Sequence, residues 1–169
     1  MNYKNELIKM NYRQVFIPGV ILLLTAGGCG DRQSRSVQSD QPSDAQVITL
    51  TQTGCQFLEP ENQDYQFKTT RADDCQQINA TTSGDRQQHV QPLQLKPGEY
   101  IFRVTNRDVP YELGFYLRGE GLSQATLPKI SGGGITPGET QEYRITLKPG
   151  NYDFSCPLNP TPDYPLVVQ

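Results

Sequence analysis

From residue 93 to residue 168 the chain keeps a hydrophobic period of two, cut at intervals by Pro-Gly turns, and few folds accept that pattern. Tyr100, Phe102 and Val104 alternate with Ile101, Arg103 and Thr105. Leu113, Phe115 and Leu117 alternate with Glu112, Gly114, Tyr116 and Arg118, and Tyr143, Ile145 and Leu147 with Glu142, Arg144 and Thr146. Tyr152, Phe154 and Cys156 share a face, and Tyr164 to Val168 reads as a closing strand. Val47 to Thr51, rich in β-branched residues, supplies an early strand. Short strands with turns at regular spacing predict an all-β sandwich. LQLKPGEY (93–100) and ITLKPGNY (145–152) look alike, and are read as two uses of one turn rather than as a duplication. The run Ser131-Gly132-Gly133-Gly134 lacks the Lys-Ser/Thr of a phosphate loop and is read as a hairpin connection. One helix is expected, from Ala72 to about Ser83, with Asp73 and Asp74 at its positive end.

The amino end follows different rules. Lys4, Lys9 and Arg13 precede an apolar stretch from Val15 to Ala26, followed by Gly27, Gly28 and Cys29. As a helix that 12-residue stretch covers about 18 Å, too little for a hydrocarbon core of about 30 Å. The layout is that of a secretory signal. Ala26-Gly27-Gly28-Cys29 resembles the lipobox of bacterial lipoproteins, with Ala26 where that family most often has Leu. The resemblance implies cleavage after residue 28, a diacylglycerol on Cys29 with a further acyl chain such as palmitate, and a lipid-anchored domain on the extracytoplasmic face of a bacterial envelope membrane. Gly30 to Ala45 holds one Val among Ser, Gln, Asp and Pro, so residues 29–45 are read as the lipidated Cys and a disordered tether. The domain then runs from 46 to 169. The whole chain has 15 basic and 18 acidic residues; the first 28 hold three basic and one acidic, which leaves 12 and 17, a net charge of −5. No basic block is present, so nucleic acid is not an expected partner.

Two segments carry a further likeness. ITPGETQEYRITLKPGNYDFSCPLNPTPDYPLVV (135–168) resembles the carboxyl end of cupredoxins, and LKPGEYIFRVTNRDVPYELGF (95–115) resembles their strand and loop bearing the first copper histidine. With VITLTQTGC (47–55), the chain is most similar to the cupredoxin-like domain of bacterial periplasmic iron-uptake proteins, interrupted by an insertion over about 59–92. The resemblance implies a Greek-key β-sandwich of the cupredoxin type with a short helical insertion. It does not imply the cofactor. A blue-copper site takes two imidazoles and a thiolate, with a weak axial thioether. Cys156 stands at the thiolate position, Tyr111 and Asn159 where the histidines belong, and Tyr164 near the axial position. The chain has one histidine, His89, inside the insertion, and its two methionines are Met1 and Met10. Type 1 copper is therefore not expected. Glu112 lies one residue away from the acidic position of the iron-uptake domains and is read as a solvated glutamate.

With Cys29 lipidated, Cys55, Cys75 and Cys156 remain, enough for one disulfide in an oxidising compartment. Cys55–Cys75 is favoured because it staples the insertion; Cys55–Cys156, the pair implied by the resemblance, is the alternative. No acid–base pair stands out, and no enzymatic activity is expected. The leading expectation is a membrane-anchored lipoprotein whose domain binds an envelope protein partner without a cofactor. The Pro-rich stretch 157–165, flanked by Tyr111 and Tyr164, is the expected partner surface. The alternative is a copper or iron binder built on Cys156 with Tyr111, Asn159 or Cys55.

Overall fold

The computed structural model describes residues 45–169; the signal segment 1–28, Cys29 and the tether as far as residue 44 lie outside the described residues. Strands β1 (Gln46–Thr53), β2 (Gln56–Phe57), β4 (Gly98–Asn106) and β7 (Thr140–Leu147) form one sheet in the order β2-β1-β4-β7. Strands β3 (Leu93–Leu95), β5 (Leu113–Gly119), β6 (Ile130–Ile135), β8 (Gly150–Ser155) and β9 (Tyr164–Val168) form the second, in the order β3-β9-β8-β5-β6. Both sheets are mixed: β1 runs parallel to β4 and β3 parallel to β9, while the other pairings are antiparallel. The result is the expected β-sandwich of two packed sheets. No helix among the described residues is long and apolar enough to cross a membrane.

The alternation read from the sequence fills the space between the sheets. Phe102, Val104, Phe115, Leu117, Phe154 and Leu166 are at most 1% exposed, and Phe57 joins Phe115, Phe154 and Tyr164 edge to face. Burying each such side chain contributes roughly 1.5–3 kcal/mol. The two Lys-Pro-Gly turns share one device. The Tyr100 hydroxyl donates to the Lys96 carbonyl at 2.9 Å, and the Tyr152 hydroxyl to the Lys148 carbonyl at 2.9 Å. Each ring is buried in the core while its polar tip closes the turn that precedes it.

Two expectations need correction. Ser131 to Gly134 belongs to strand β6, not to a hairpin connection. Its glycines serve close approach: a Cβ on Gly114 would lie 2.6 Å from the Gly132 carbonyl oxygen, and one on Gly132 would lie 2.8 Å from Tyr143 Cε1. The insertion helix is also longer than read. Helix α1 (Leu58–Glu61) is a single turn, and helix α2 runs from Ala72 to Gln87. Asp74 opens α2, its carboxylate accepting from the backbone of Thr70 at 2.7 Å and of Arg71 at 3.1 Å. These bonds hold its pKa below the ordinary carboxylate value. The far end of α2 is kept helical by Arg86, whose guanidinium is buried against Glu61, a tertiary contact that local propensity does not contain.

Candidate functional site

One end of the sandwich gathers the end of β1, the loop after β4, the loop after β8 and the start of α2. Cys156 follows β8 directly and is fully buried, the one free cysteine among the described residues. Its carbonyl accepts from the backbone of Asn159 at 3.2 Å and of Thr161 at 3.3 Å, and its own N–H donates to the Thr161 hydroxyl at 2.9 Å. This folds the Pro-rich loop tightly back on the strand. The Sγ atom accepts from the Gly114 N–H at 3.3 Å. Burial pushes the thiol pKa up; the amides of Gly114, Asn159 and Leu158 and the Gln52 side chain oppose that shift without overcoming it. A neutral, enclosed thiol is a poor nucleophile and a poor metal ligand.

Cys55 is bonded to Cys75. The favoured pairing is thus the one formed, and the alternative Cys55–Cys156 is not. The reason is positional: α2 packs Cys75 against the end of β1, where Cys55 sits buried with a left-handed backbone at φ 64°. The bond also removes Cys55 from any ligand set, which corrects its candidacy for a metal.

Asn159 and Tyr111 are brought together beside that disulfide. Asn159 is fully buried; its amide nitrogen donates to the Thr53 carbonyl at 2.8 Å. Its amide oxygen accepts from the Cys55 N–H at 3.2 Å and from the Tyr111 hydroxyl at 3.0 Å, and lies 3.2 Å from Cys75 Sγ. Tyr111 is half-buried, with its hydroxyl oxygen 3.7 Å from Cys75 Sγ. Burial raises its pKa, partly offset by a hydrogen bond with Thr69. The two residues at the histidine positions therefore bond to each other. Asn159 has no donor atom left for a metal, a second correction.

Tyr164 corrects the expected partner surface. It is fully buried, and its hydroxyl donates to Glu61 and accepts from the Phe57 N–H at 3.3 Å. Burial, and then the neighbouring Glu61 carboxylate, raise its pKa strongly. Its place against the surface is taken by Leu158, 44% exposed, which the hydrophobic pattern did not single out. Leu158 and Pro157 wall a groove of about 740 Å³ that passes over Gly114, Gly132 and Gly133, with Tyr116, Lys129 and Ile130 along it. Glu112 is exposed, as read, and its carboxylate accepts from the Gly134 N–H at 2.7 Å.

No protein-family model matches the chain, and no curated protein matches it. Solved structures do. The chain is similar to two auracyanins. Auracyanin B is 12% identical, with 77% of this chain and 92% of that chain covered and a TM-score of 0.47. Auracyanin A, described as a blue copper protein from the green thermophilic photosynthetic bacterium Chloroflexus aurantiacus, is 15% identical, with 73% and 98% covered and a TM-score of 0.41.

The residues of this chain do not fit the type 1 copper group. That chemistry needs two imidazoles beside the thiolate. Here a tyrosine–asparagine hydrogen bond and a disulfide lie at those positions, while His89 is exposed at the end of α2, its Nδ1 3.0 Å from the Asp85 carbonyl. Among the described residues no three His, Cys, Asp or Glu side chains are grouped to hold a metal ion.

Proposed function

We propose that this chain is a bacterial lipoprotein, anchored through Cys29 to the extracytoplasmic face of an envelope membrane, whose cupredoxin-like domain is a non-enzymatic module for binding a protein partner. The observation that carries the reading is the Tyr111–Asn159 hydrogen bond beside the Cys55–Cys75 disulfide. It commits the metal-ligand positions to holding the insertion in place. With its polar atoms spent internally, this end of the domain offers shape and apolar surface: the groove beside exposed Leu158. A stiff loop with an apolar side chain over a glycine floor suits a protein contact. The likeness to iron-uptake domains makes iron, beside copper, the metal to be tested against this reading.

The test has two arms. Elemental analysis of protein purified without added metal, and again after incubation with copper(I), copper(II) or iron, is expected to find no stoichiometric metal; one equivalent held through Cys156 would overturn the reading. A photo-crosslinking residue at Leu158 is expected to capture one discrete envelope protein in cells, and the same residue at exposed Glu99 is not. Equal capture at both positions, or none at Leu158, would refute the partner surface. Acyl labelling that persists in Cys29→Ala would refute the anchor.

A further inference from the structure

The sandwich has two ends, and the chain enters it at the one opposite the Tyr111–Asn159 site. Gln46 begins β1, and its amide donates to the Tyr100 hydroxyl at 3.3 Å. Strands β1 and β4 run parallel from there, so Thr53 and Asn106 lie at the far end with Asn159. At the Gln46 end the chain crosses between the sheets twice, through Lys96-Pro97 and through Lys148-Pro149. Strand β5 finishes there at Gly119, and β6 starts there at Ile130, paired with Leu117. Three of the domain's four lysines, Lys96, Lys129 and Lys148, therefore stand at this end, and all three are exposed. Among the described residues no ion pair engages them. Glu99 is held by Arg144 at 3.7 Å, which leaves Glu120, and Asp153 one rung further in, as the carboxylates near them.

Between β5 and β6 a short 3₁₀ helix, Gly121–Ala125, holds Leu122 out into solvent, 97% exposed. The segment that carries it is fixed. The Glu120 N–H donates to the Asn151 carbonyl at 2.9 Å and the Leu127 N–H to the Ser123 carbonyl at 2.9 Å. Leu127 packs so tightly on Gly150 that a Cβ there would lie 2.7 Å from its Cδ1. A lone exposed leucine needs no explanation. One presented on a fixed turn, at the same end as three unpaired lysines, matches a lipid surface: an apolar tip for the acyl boundary and ammonium groups for phosphates. The mature chain is acidic, so lysines concentrated at one end also decide which end an anionic surface attracts. Chain length agrees. Sixteen residues separate Cys29 from Gln46, and a flexible chain of that length averages about 20–24 Å end to end. Strand β4 alone, with nine residues, spans about 30 Å. An anchor at Cys29 thus brings the Gln46 end to the membrane and keeps the groove beside Leu158 away from it.

We propose that the Gln46 end is a membrane-docking tip, with Leu122 inserted at the acyl boundary and Lys96, Lys129 and Lys148 on the headgroups of anionic phospholipids; the proposal rests on the lipoprotein reading above. The chain has no tryptophan, so Leu122→Trp and Leu158→Trp each give a single fluorophore, one at each end. The lipidated chain is reconstituted on vesicles of phosphatidylcholine and phosphatidylglycerol, with brominated phosphatidylcholine as quencher. Leu122→Trp is expected to be quenched and blue-shifted, and Leu158→Trp to be neither. Each lysine replaced by glutamine in the Leu122→Trp background should shift the docked population roughly fivefold, and replacing all three should reduce quenching to its level on pure phosphatidylcholine. Thermal melts of these surface variants should match the parent. Flotation separates the two readings. A chain that fails to float with the vesicles would refute the anchor and this proposal with it. A chain that floats with Leu122→Trp unquenched, as it would be if Leu122 served a protein contact, refutes the docking tip alone. So does quenching of Leu158→Trp in its place, or quenching of Leu122→Trp that survives loss of all three lysines.

Discussion

Replacing Arg86 by methionine tests what holds the insertion to the sandwich. The Arg86 side chain is 3% exposed and that of Glu61 1%. The guanidinium donates to Glu61 at 2.8 and 2.6 Å, to the Cys55 carbonyl at 3.2 Å and to Asn79 Oδ1 at 2.5 Å. It also lies 5.3 Å from the Tyr65 ring centre and 5.1 Å from that of Phe67. Methionine keeps the apolar stem but leaves the Glu61 carboxylate enclosed without a counter-ion. Breaking one side of a buried ion pair costs about 3–5 kcal/mol, a large part of the roughly 5–15 kcal/mol that a domain has to lose. At about 3–5 °C per kcal/mol for a domain of this size, the thermal midpoint should fall by about 10–20 °C. Urea unfolding followed by circular dichroism gives the free energy. The decisive comparison is the double variant Glu61→Gln/Arg86→Met, which has no charge to strand and keeps an acceptor for the Tyr164 hydroxyl. It should recover about 2 kcal/mol relative to Arg86→Met alone. A single variant that loses under about 1 kcal/mol, or a double variant no more stable than the single, would refute the reasoning.

Four further outcomes are expected. Removing the disulfide with Cys55→Ala/Cys75→Ala reopens a loop with a sequence separation of 20 and should cost about 3 kcal/mol; urea unfolding should then become insensitive to reductant. Asn159→Ala orphans the Cys55 N–H and the Thr53 carbonyl and should cost about 2–4 kcal/mol in the same assay. Because the Cys156 pKa is raised in the folded protein, only the unfolded chain ionises near an ordinary thiol pKa of about 8.5. Stability should therefore fall as pH rises through that range, less so in Cys156→Ala, and maleimide labelling of the native protein should await unfolding. The Asp74 pKa is lowered in the folded state, so its stabilisation is present above the unfolded carboxylate value of about 3.9 and lost as pH falls through the folded value. Asp74→Asn should flatten that acid limb, as followed by acid unfolding curves.

The strands were legible because each half-buried strand writes its burial as alternation. The Lys-Pro-Gly turns were legible because Pro and Gly have few conformational substitutes. Gly132 to Gly134 misled for the opposite reason: glycine marks both a turn and a close backbone approach, and only the neighbouring Gly114 and Tyr143 tell which. The candidate site was legible in its members and not in their roles. Cys156, Tyr111 and Asn159 do converge, yet Asn159 is consumed by three hydrogen bonds. Tyr164 is enclosed by the Glu61 contact, which no local pattern announces. The choice between two cysteine pairings likewise required knowing where α2 lies.

By itself the sequence determined the sandwich, the turns that divide it and the absence of the two imidazoles that type 1 copper needs. Those follow from local periodicity and from counting residue types, and neither depends on which distant segments meet. Tertiary structure alone decided that Cys55 bonds Cys75, that Tyr111 and Asn159 bond each other, and that Arg86 is buried on Glu61. Each is a contact across 20 or more positions of chain, or its result, and a side chain's chemistry there is set by the partner that packing places beside it.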